Sequence, residues 1–476
     1  MGHGVKVFFC FITFLFSFFV HSDEIKPVTD IENIRIIHNS TVEWSFLKYL
    51  LKNARKSIWF STFHIVNDST GGPILDILTE KANEGVEVKL LTSYYAAWNG
   101  DPFNSVNRRL SQIDSPSFDY LLFGSGLPGP YSKNGWFYSD STHCKLIIID
   151  GSLIFISGRG QTDYYKNWYD LATVIKGREA AEVGIQIFQK LYPELKRANE
   201  GIDMNSDLYA IQGQAQPWVP IVNEEGNISS ELAQLKLWAS KPETMGSPEN
   251  AFTLTGLSNQ FIQQMSAQAK SPSHISYPER VEMAEKGELQ DPILDSIIDS
   301  IQNARKSIKI MSFALNFLPK TFSALQAAME RGVRVQLMVN SKTAVSYAFG
   351  TRFAPAVGYY QGIIPHALEI LKNPMGEILL FEPTDLKYSH AKFIVIDDET
   401  VYLGSHNLTF VSSISVEEMQ LKLTGSKMGE YANTIWEHAK ENYAPHVLTV
   451  DEFIKESQGK FTRFMYSITS FLDYLF

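Results

Sequence analysis

The sequence predicts an α/β protein of two homologous lobes, each a mixed β-sheet layered by helices, and three observations support this fold class. The chain has 476 residues, which is too long for one ordinary hydrophobic core. It contains an internal duplication. Each copy alternates helical patterns with apolar, strand-like runs. We expect the lobes to be related by a pseudo-twofold axis.

The duplication consists of three pairs of similar segments that keep the same order in both halves. One such match could arise by chance, but three in register imply homologous halves. The pairs are residues 53–58 with 303–308 (offset 250), 84–90 with 331–337 (offset 247), and 143–150 with 390–397 (offset 247).

Helices and strands are predicted at matching places in each half. Apolar residues at helical spacing precede the first strand, Pro73 marks a helix start, and Gly85 marks its end. In the first half the apolar helical positions are Phe46, Leu47, Leu50, Leu51 and Ala54, and the strands are 58–66 and 86–91. In the second half we predict helices over 293–304 and 319–330 and strands over 308–313 and 333–339.

The chain divides into four predicted regions: 1–22, 30–200, 201–285 and 286–476. The first is an apolar run of signal-peptide length, so we expect export, to a periplasmic, secreted or lumenal location, with an uncleaved anchor as the alternative. The second and fourth are the lobes. The third is polar and Gln/Ser/Asn-rich, and we interpret it as an insertion with a helix near 232–238. Residues 461–476 predict an amphipathic helix, docked on the body or lying on a membrane.

Composition excludes several classes of protein. Hydrophobic residues make up 44% and charged residues 20%, so global disorder is excluded. The only cysteines are Cys10 and Cys144, too few for a disulfide framework or a Cys-rich metal site. The net charge of −10 disfavours binding of duplex nucleic acid by bulk charge. Aromatic residues reach 13%, partly in loops at 124–138 and 347–360, where they suit acyl chains, stacked bases or burial in the body.

Two His-x-Lys motifs occur within the duplication, at His143 and Lys145 and at His390 and Lys392. Each is followed by a β-branched apolar run, which predicts that the motif lies on a strand. Residues i and i+2 of a strand point to one face, so each motif aims an imidazole and an ammonium at the same place. One such motif is usually surface decoration, but the pair in register predicts a single site shared by both lobes.

A hairpin turn predicted at residues 150–151 determines what faces each histidine. With a two-residue turn, Gly158 lies opposite His143, and the equivalent turn brings Ser405 opposite His390. Small residues there leave room for a ligand, so we expect both to contact substrate.

Four carboxylates accompany the motifs. Asp150 and Asp397 close the hairpins, which favours structural roles. Asp170 and Glu418 lie beyond the returning strands, where they either orient the imidazoles or are solvated surface groups.

The paired motifs suit substitution at phosphorus. One imidazole forms a covalent phosphohistidine, and the other protonates the leaving oxygen and then activates water or an alcohol. The lysines neutralise phosphate oxygens, with Asn407 and Ser405 as further donors. No metal or other cofactor is expected.

The two His-x-Lys-x4-Asp motifs, with Gly-Ser-His-Asn at 404–407, resemble the phospholipase D superfamily. Ser412 and Glu-Glu-Met at 417–419 make this region similar to bacterial cardiolipin synthase-type members, which implies that Glu418 supports a histidine. Residues 169–171 (Tyr-Asp-Leu) resemble the corresponding first-half segment and imply the same for Asp170.

The resemblance also implies two α/β lobes, one site between them and a phosphohistidine intermediate. Family tendency makes His143 the nucleophile and His390 the general acid. The first half departs from the family pattern Gly-Gly/Ser-x-Asn, because residues 157–160 read Ser-Gly-Arg-Gly. Gly160 cannot donate the hydrogen bond that Asn407 can, and Arg159 would point away from the site on an alternating strand. We therefore expect an asymmetric site.

Three functions compete on these grounds. The first is hydrolysis of phospholipids or phosphatidyl transfer at a membrane surface, with no stable nucleic-acid partner. The second is an exported nuclease of the same superfamily, which would cleave single-stranded nucleic acid. The third is a binding protein with a decayed site, which the retained His/Lys pairs disfavour.

Overall fold

The computed structural model describes residues 31–93, 103–123, 141–198, 225–241, 251–256, 291–313, 317–349, 367–386, 388–409, 412–413 and 416–457. Four predicted segments lie outside these ranges: the signal peptide, the aromatic loop at 124–138, most of the loop at 347–360 and the helix over 461–476.

The first lobe contains a seven-stranded mixed sheet in the order β1-β9-β7-β6-β2-β3-β4. Parallel pairing joins β2, β3 and β4, and antiparallel pairing joins the rest. All side chains of β6 and β7 are buried, as expected for strands covered on both faces. The strands are β1 Ile34–Ile37, β2 Ser57–Thr62, β3 Glu87–Ser93, β4 Phe118–Phe123, β6 Leu146–Ile149, β7 Leu153–Ser157 and β9 Ala172–Lys176.

The second lobe repeats this arrangement in an eight-stranded sheet of order β10-β18-β16-β15-β11-β12-β13-β19. Its centre again has a parallel pair flanked by an antiparallel hairpin. The strands are β10 Ala251–Gly256, β11 Ser307–Met311, β12 Arg334–Asn340, β13 Gly376–Phe381, β15 Phe393–Ile396, β16 Thr400–Gly404, β18 Met419–Thr424 and β19 His446–Val447. The predicted fold class, two homologous α/β lobes, is confirmed.

Helices cover the sheets. In the first lobe α1, α2 and α5 share one buried cluster, whereas α4 contributes to a second cluster that continues through the core of the other lobe. The lobes therefore share apolar core. The helices are α1 Ser40–Asn53, α2 Gly71–Asn83, α3 Phe103–Ser111, α4 Arg178–Ala198, α5 Glu225–Ser240, α6 Pro292–Asn303, α7 Pro319–Glu330, α8 Lys342–Phe349, α9 Ser426–Tyr443 and α10 Val450–Ser457.

Local sequence accounts for the ends of these helices. Asn39 and Asp291 cap α1 and α6 by accepting backbone N–H bonds in the first turn. Gly85 and Gly332 follow α2 and α7 with φ of 87° and 86°, the left-handed conformation that glycine adopts without strain. The strand predicted over 58–66 ends earlier, at Thr62.

The three repeated segments meet at one corner of each sheet. Asp150 accepts backbone N–H bonds from Arg55 (3.0 Å), Lys56 (2.7 Å) and Ser57 (3.1 Å). Lys56 in turn accepts a bond from the N–H of Glu87 (3.0 Å), which belongs to the remaining repeat segment.

The second lobe has the same corner. Asp397 accepts bonds from Arg305 (2.8 Å), Lys306 (2.7 Å) and Ser307 (3.0 Å). Much of the similarity between the repeats therefore specifies this structural corner. The corner lies at the C-terminal end of β6 or β15, whereas the His-x-Lys motif precedes the same strand.

The hairpin turn forms as predicted, but the register beyond it is shifted by one residue. Asp150 and Gly151 have φ of 54° and 62°, and Ser152 donates to Ile149, as in a type I′ turn. The strands nevertheless pair Ile149 with Leu153, because Ser152 is an extra residue on the returning strand. The predicted pairing of Gly158 with His143 is therefore wrong, and so is that of Ser405 with His390, because Ile396 pairs with Thr400.

Part of the predicted insertion belongs to the lobes. The helix predicted near 232–238 is α5, which packs on the first lobe, and β10 forms an edge strand of the second sheet that the sequence analysis missed. Among helices of the described residues, none combines the length and hydropathy that a membrane span requires.

We predict that Asp150→Asn and Asp397→Asn each lower the free energy of unfolding by about 1–3 kcal/mol, because each corner loses charge-assisted acceptors for three N–H groups. Asparagine tolerates the left-handed backbone conformation of both positions, so the substitutions test the side-chain hydrogen bonds and not the backbone conformation. Urea unfolding measures the effect. The control is Glu399→Gln, an exposed residue of the same second-lobe turn, and an equal midpoint for all three variants would contradict the prediction.

Candidate active site

Two short parallel strand pairs connect the lobes and carry the site. The first joins β8 (Trp168–Tyr169) of one lobe to β14 (Tyr388–Ser389) of the other, and the second joins β5 (Ser141–Thr142) to β17 (Val416–Glu417). Each strand ends immediately before a predicted site residue. The pairing therefore brings a residue of one lobe beside a residue of the other at the same place.

Each histidine is held by a carboxylate from the opposite lobe. His143 Nδ1 lies 2.9 Å from Oε2 of Glu418, and His390 Nδ1 lies 2.8 Å from Oδ2 of Asp170. The backbone N–H of His390 also donates to the carbonyl of Tyr169 (2.7 Å). With Nδ1 donating to the carboxylate, the lone pair of each imidazole is on Nε2.

The His-x-Lys motifs are not on the strands, contrary to expectation. β6 begins at Leu146 and β15 at Phe393, each directly after the motif lysine. The motifs instead occupy the extended residues between the cross-lobe pairs and the main sheets. His143 and His390 can therefore bond to the opposite lobe while the following strand remains in its own sheet.

The two carboxylates are buried and ionised. Burial alone would raise the pKa of Glu418, but His143 and nearby positive charge lower it to about 2. Its other partners are the hydroxyls of Ser405 and Ser412, the latter at 2.7 Å from Oε1. Burial also opposes ionisation of Asp170, yet Lys392 and His390 lower its pKa below the usual range. Both side chains are almost completely excluded from solvent, at 0% and 1% exposure.

Ser405 and Gly158 do not lie over the histidines. Ser405 donates to Glu418 and is buried behind it, and a Cβ on Gly158 would lie 2.0 Å from Oδ1 of Asp170. The structure therefore corrects their predicted substrate contact. Ser405 orients a carboxylate, and the missing side chain of Gly158 makes room for the other one.

Both imidazoles are neutral at physiological pH. Burial lowers the pKa of His143 to about 4, against the opposing effect of Glu418, and Lys145 lowers it further. Burial and then Lys392 lower the pKa of His390 to about 3. A neutral imidazole with its Nδ1 proton held by a carboxylate is prepared to act as a nucleophile or base through Nε2.

The lysines lie beside the histidines, as predicted. Lys145 Nζ donates to the carbonyl of His143 (2.9 Å), and Lys392 Nζ donates to that of His390 (2.6 Å) and lies 2.7 Å from its Nε2. Burial lowers the lysine pKa values to about 8 for Lys145 and about 7 for Lys392, although the carboxylates oppose this. A bound phosphate anion would favour the charged form of both.

Arg159 points away from the site, as expected. Its guanidinium is fully buried against the carboxylate of Glu43 and donates to the backbone carbonyls of Trp168 and Asp170, each at 3.0 Å. Arg159 thus holds the backbone that carries the first-lobe carboxylate. Its buried partner Glu43 was not recognised from the sequence.

Aromatic rings around the histidines were also missed. Phe63 lies 5.0 Å from His143 and Phe313 lies 6.2 Å from His390, measured between ring centroids. Trp168 packs 5.1 Å from His390. The two phenylalanines share the 250-residue offset of the first repeat pair, so extending that repeat by five residues would have found them.

Within the described residues no group of three or more His, Cys, Asp or Glu side chains could hold a metal ion. The arrangement offers two nucleophilic or basic nitrogens, two buried cations and two imidazole-orienting carboxylates. It can bind one anion between two histidines and exchange groups on it. Asn407 lies on the loop after β16, where its backbone N–H donates to Ser412 (3.0 Å).

Comparison with known proteins agrees with this geometry. A family model described as cardiolipin synthase, PLD-like domain matches residues 47–192 and 297–439, which together are more than half of the chain. Each match contains one His-x-Lys motif and one of the two carboxylates.

Relatives and a solved structure resemble the chain over different lengths. A cardiolipin synthase of Clostridium perfringens strain SM101 is 31% identical over 137 residues, which are 27% of this chain and 27% of that protein. Cardiolipin synthase 1 of Staphylococcus aureus strain COL is 22% identical over 432 residues, 86% of this chain and 69% of that protein. The crystal structure of phosphatidylserine synthase from Haemophilus influenzae Rd KW20 has a TM-score of 0.64 at 15% identity, covers 95% of this chain and 98% of that chain, and shows the same fold.

We predict that Glu418→Gln and Asp170→Asn each lower kcat by about 10- to 100-fold, because the amide no longer holds the required tautomer of the opposite lobe's imidazole. Turnover of bis(p-nitrophenyl) phosphate measures the effect. Glu330→Gln, an exposed carboxylate on α7, is the matched control. Wild-type kcat in Glu418→Gln would contradict the supporting role.

We predict a bell-shaped pH profile of kcat/KM for the same diester. Activity falls as the pH rises through about 7 and 8, because Lys392 and then Lys145 lose the charge that binds the anion. It falls below about pH 4, where His143 gains a proton and loses its lone pair. A constant kcat/KM from pH 6 to pH 10 would contradict the assignment of the lysines.

Proposed function

Because the chain belongs to the cardiolipin synthase, PLD-like domain family of the phospholipase D superfamily, we propose that it substitutes groups at the phosphorus of phospholipids through a phosphohistidine. The predicted superfamily is confirmed. One observation carries the proposal: two neutral imidazoles, each held by the opposite lobe's carboxylate, share a site with two buried ammonium groups.

The first half-reaction forms the intermediate. Nε2 of His143 attacks phosphorus, a P–N bond forms, and the P–O bond to the leaving alcohol breaks as that oxygen takes a proton from His390. His390 must first be protonated, and the negative charge of a bound phosphodiester raises its pKa and supports this. The roles of His143 as nucleophile and His390 as acid follow family tendency. Nζ of Lys392 lies 2.7 Å from both ring nitrogens of His390 and opposes protonation of that imidazole until the anion binds.

The second half-reaction releases the product. Neutral His390 removes a proton from the incoming water or alcohol, whose oxygen attacks phosphorus as the P–N bond breaks. Water gives hydrolysis, and an alcohol such as glycerol or another lipid headgroup gives phosphatidyl transfer. The same residues serve both outcomes, so the acceptor that reaches the intermediate determines which occurs.

Phospholipid is the proposed substrate at a membrane surface, outside the cytoplasm. Three observations support this: the family match, the net charge of −10, which disfavours a polyanionic nucleic acid, and the apolar N-terminal run of signal-peptide length. The chain spans only 27% of the length of its Clostridium relative, so that protein's name supports the substrate class by analogy.

We predict that the purified protein, incubated with vesicles of labelled phosphatidylglycerol and a primary alcohol, releases or exchanges the headgroup. His143→Ala and His390→Ala should each lower the rate at least about 10³-fold, because nucleophile and acid act as one unit. Trapping the intermediate by denaturation in alkali, in which the P–N bond survives, and mapping of the phosphorylated histidine should identify His143. Exposed His446→Ala is the matched control.

A parallel incubation contains single-stranded oligonucleotide in place of vesicles. Cleavage of the oligonucleotide without lipid turnover would overturn the proposed substrate in favour of the nuclease alternative. Full activity in a single-histidine variant would overturn the shared-site mechanism.

A further inference from the structure

The first lobe lacks the asparagine that the second lobe has in its site. Position 160 corresponds to position 407 by the 247-residue offset of the His-x-Lys repeat, and it is Gly160 where the second lobe has Asn407. The site would therefore have one neutral hydrogen-bond donor fewer on the His143 side than on the His390 side.

Gly160 packs directly against residue 64. A Cβ built on Gly160 would lie 2.6 Å from Cβ of His64 and 2.9 Å from the ring of Tyr165, distances too short for a side chain at 160 unless the surrounding chain shifts. Backbone bonds keep the two positions together, because the N–H of Gln161 donates to the carbonyl of His64 (2.6 Å).

The duplication shows that the difference between the halves at position 160 is accompanied by an opposite difference at position 64. Phe63 and Phe313 correspond by the 250-residue offset. Phe63 contacts His143, and Phe313 contacts His390. The next residue is His64 in the first half and Ala314 in the second. A large donor at this position accompanies glycine at 160, and a small residue accompanies asparagine at 407.

The surroundings of His64 indicate a ligand. Its side chain lies beside the first motif, since the ring of Phe63 contacts both His64 (4.4 Å between ring centroids, tilted) and His143 (5.0 Å, edge-to-face). Nδ1 of His64 lies 2.9 Å from the hydroxyl of Tyr165, whereas Nε2 has no hydrogen-bond partner among the described residues. His64 is only 4% exposed, and a buried polar atom without a partner destabilises the protein unless something binds it.

The charge state of His64 is compatible with a donor role. Burial, followed by the nearby titrating groups Lys145 and then His143, lowers its pKa to about 3, so the ring is neutral and carries one proton. If the Tyr165 hydroxyl donates to Nδ1, that proton is on Nε2. Asn407, like His64, has a buried polar side-chain atom without a hydrogen-bond partner among the described residues, in its case Oδ1.

We propose that His64 binds the phosphoryl group on the His143 side of the site, with Nε2–H donating to a phosphate oxygen in place of the missing asparagine. This inference rests on the proposed phosphodiester chemistry at the shared site, and it assigns a substrate-binding residue outside the repeated motifs. The two halves of the site thus present different donors, an imidazole N–H and an amide, to the same phosphate.

Substitution of His64 tests the proposal. His64→Ala should weaken binding of inorganic phosphate, measured by calorimetry, by about 10- to 100-fold and lower kcat/KM for bis(p-nitrophenyl) phosphate similarly. Gly160→Asn should also be impaired, because the new Cβ collides with Cβ of His64.

A second pair of variants separates the donor from packing. His64→Gln keeps a side-chain N–H and should retain more phosphate affinity than His64→Met, which has similar volume and no donor. Thermal melting and His446→Ala serve as controls. Equal affinity in the Gln, Met and wild-type proteins would overturn the proposal.

Phosphate binding needs no lipid, so the two proposals fail separately. Loss of phosphate affinity in His64→Met, in a protein that does not turn over lipid, would support the His64 assignment and contradict only the lipid substrate. Normal lipid turnover and phosphate affinity in His64→Met would contradict only the His64 assignment.

Discussion

The exchange of carboxylates between lobes is the interaction on which the site depends. Glu418 reaches from the second lobe to His143, and Asp170 reaches from the first to His390. Both carboxylates are buried, and a buried charge without its partner is strongly destabilising. Docking of the lobes and orientation of the imidazoles are therefore one event: neither histidine acquires its working tautomer until the other lobe is in place.

Charge balance explains why the free site is prepared for an anion. Two carboxylates and two ammonium groups lie together in the buried centre, and burial weakens the hold of Lys145 and Lys392 on their protons. A phosphodiester adds one negative charge between them and shifts this balance, so that binding of substrate itself favours the protonated lysines and a protonated His390. The anion thus helps to create the acid that its own cleavage requires.

Most of the fold could be predicted from the sequence because the duplication repeats the same pattern of elements. α7 was predicted at its observed bounds, and α6 within one residue, because the apolar spacing and the Pro and Gly signals coincide. The His-x-Lys pairs and their carboxylates were recognised from motif and resemblance. Which carboxylate serves which histidine could not be predicted, since that depends on two-residue strands between lobes that carry no periodic signal. Ser405 was misplaced because a single extra turn residue changes which side chains face each other.

The exchange of carboxylates between lobes also affects how the two halves of such a protein can diverge in sequence. In a symmetric dimer of identical chains, each chain would complete the other's site, and every substitution would appear in both halves at once. A single chain with two copies is free of that restriction. The first half has His64 and Gly160 where the second half has Ala314 and Asn407, and this difference in sequence is one that only separately inherited halves can hold. Covalent fusion thus permits one half of the site to change while the other half keeps its own arrangement.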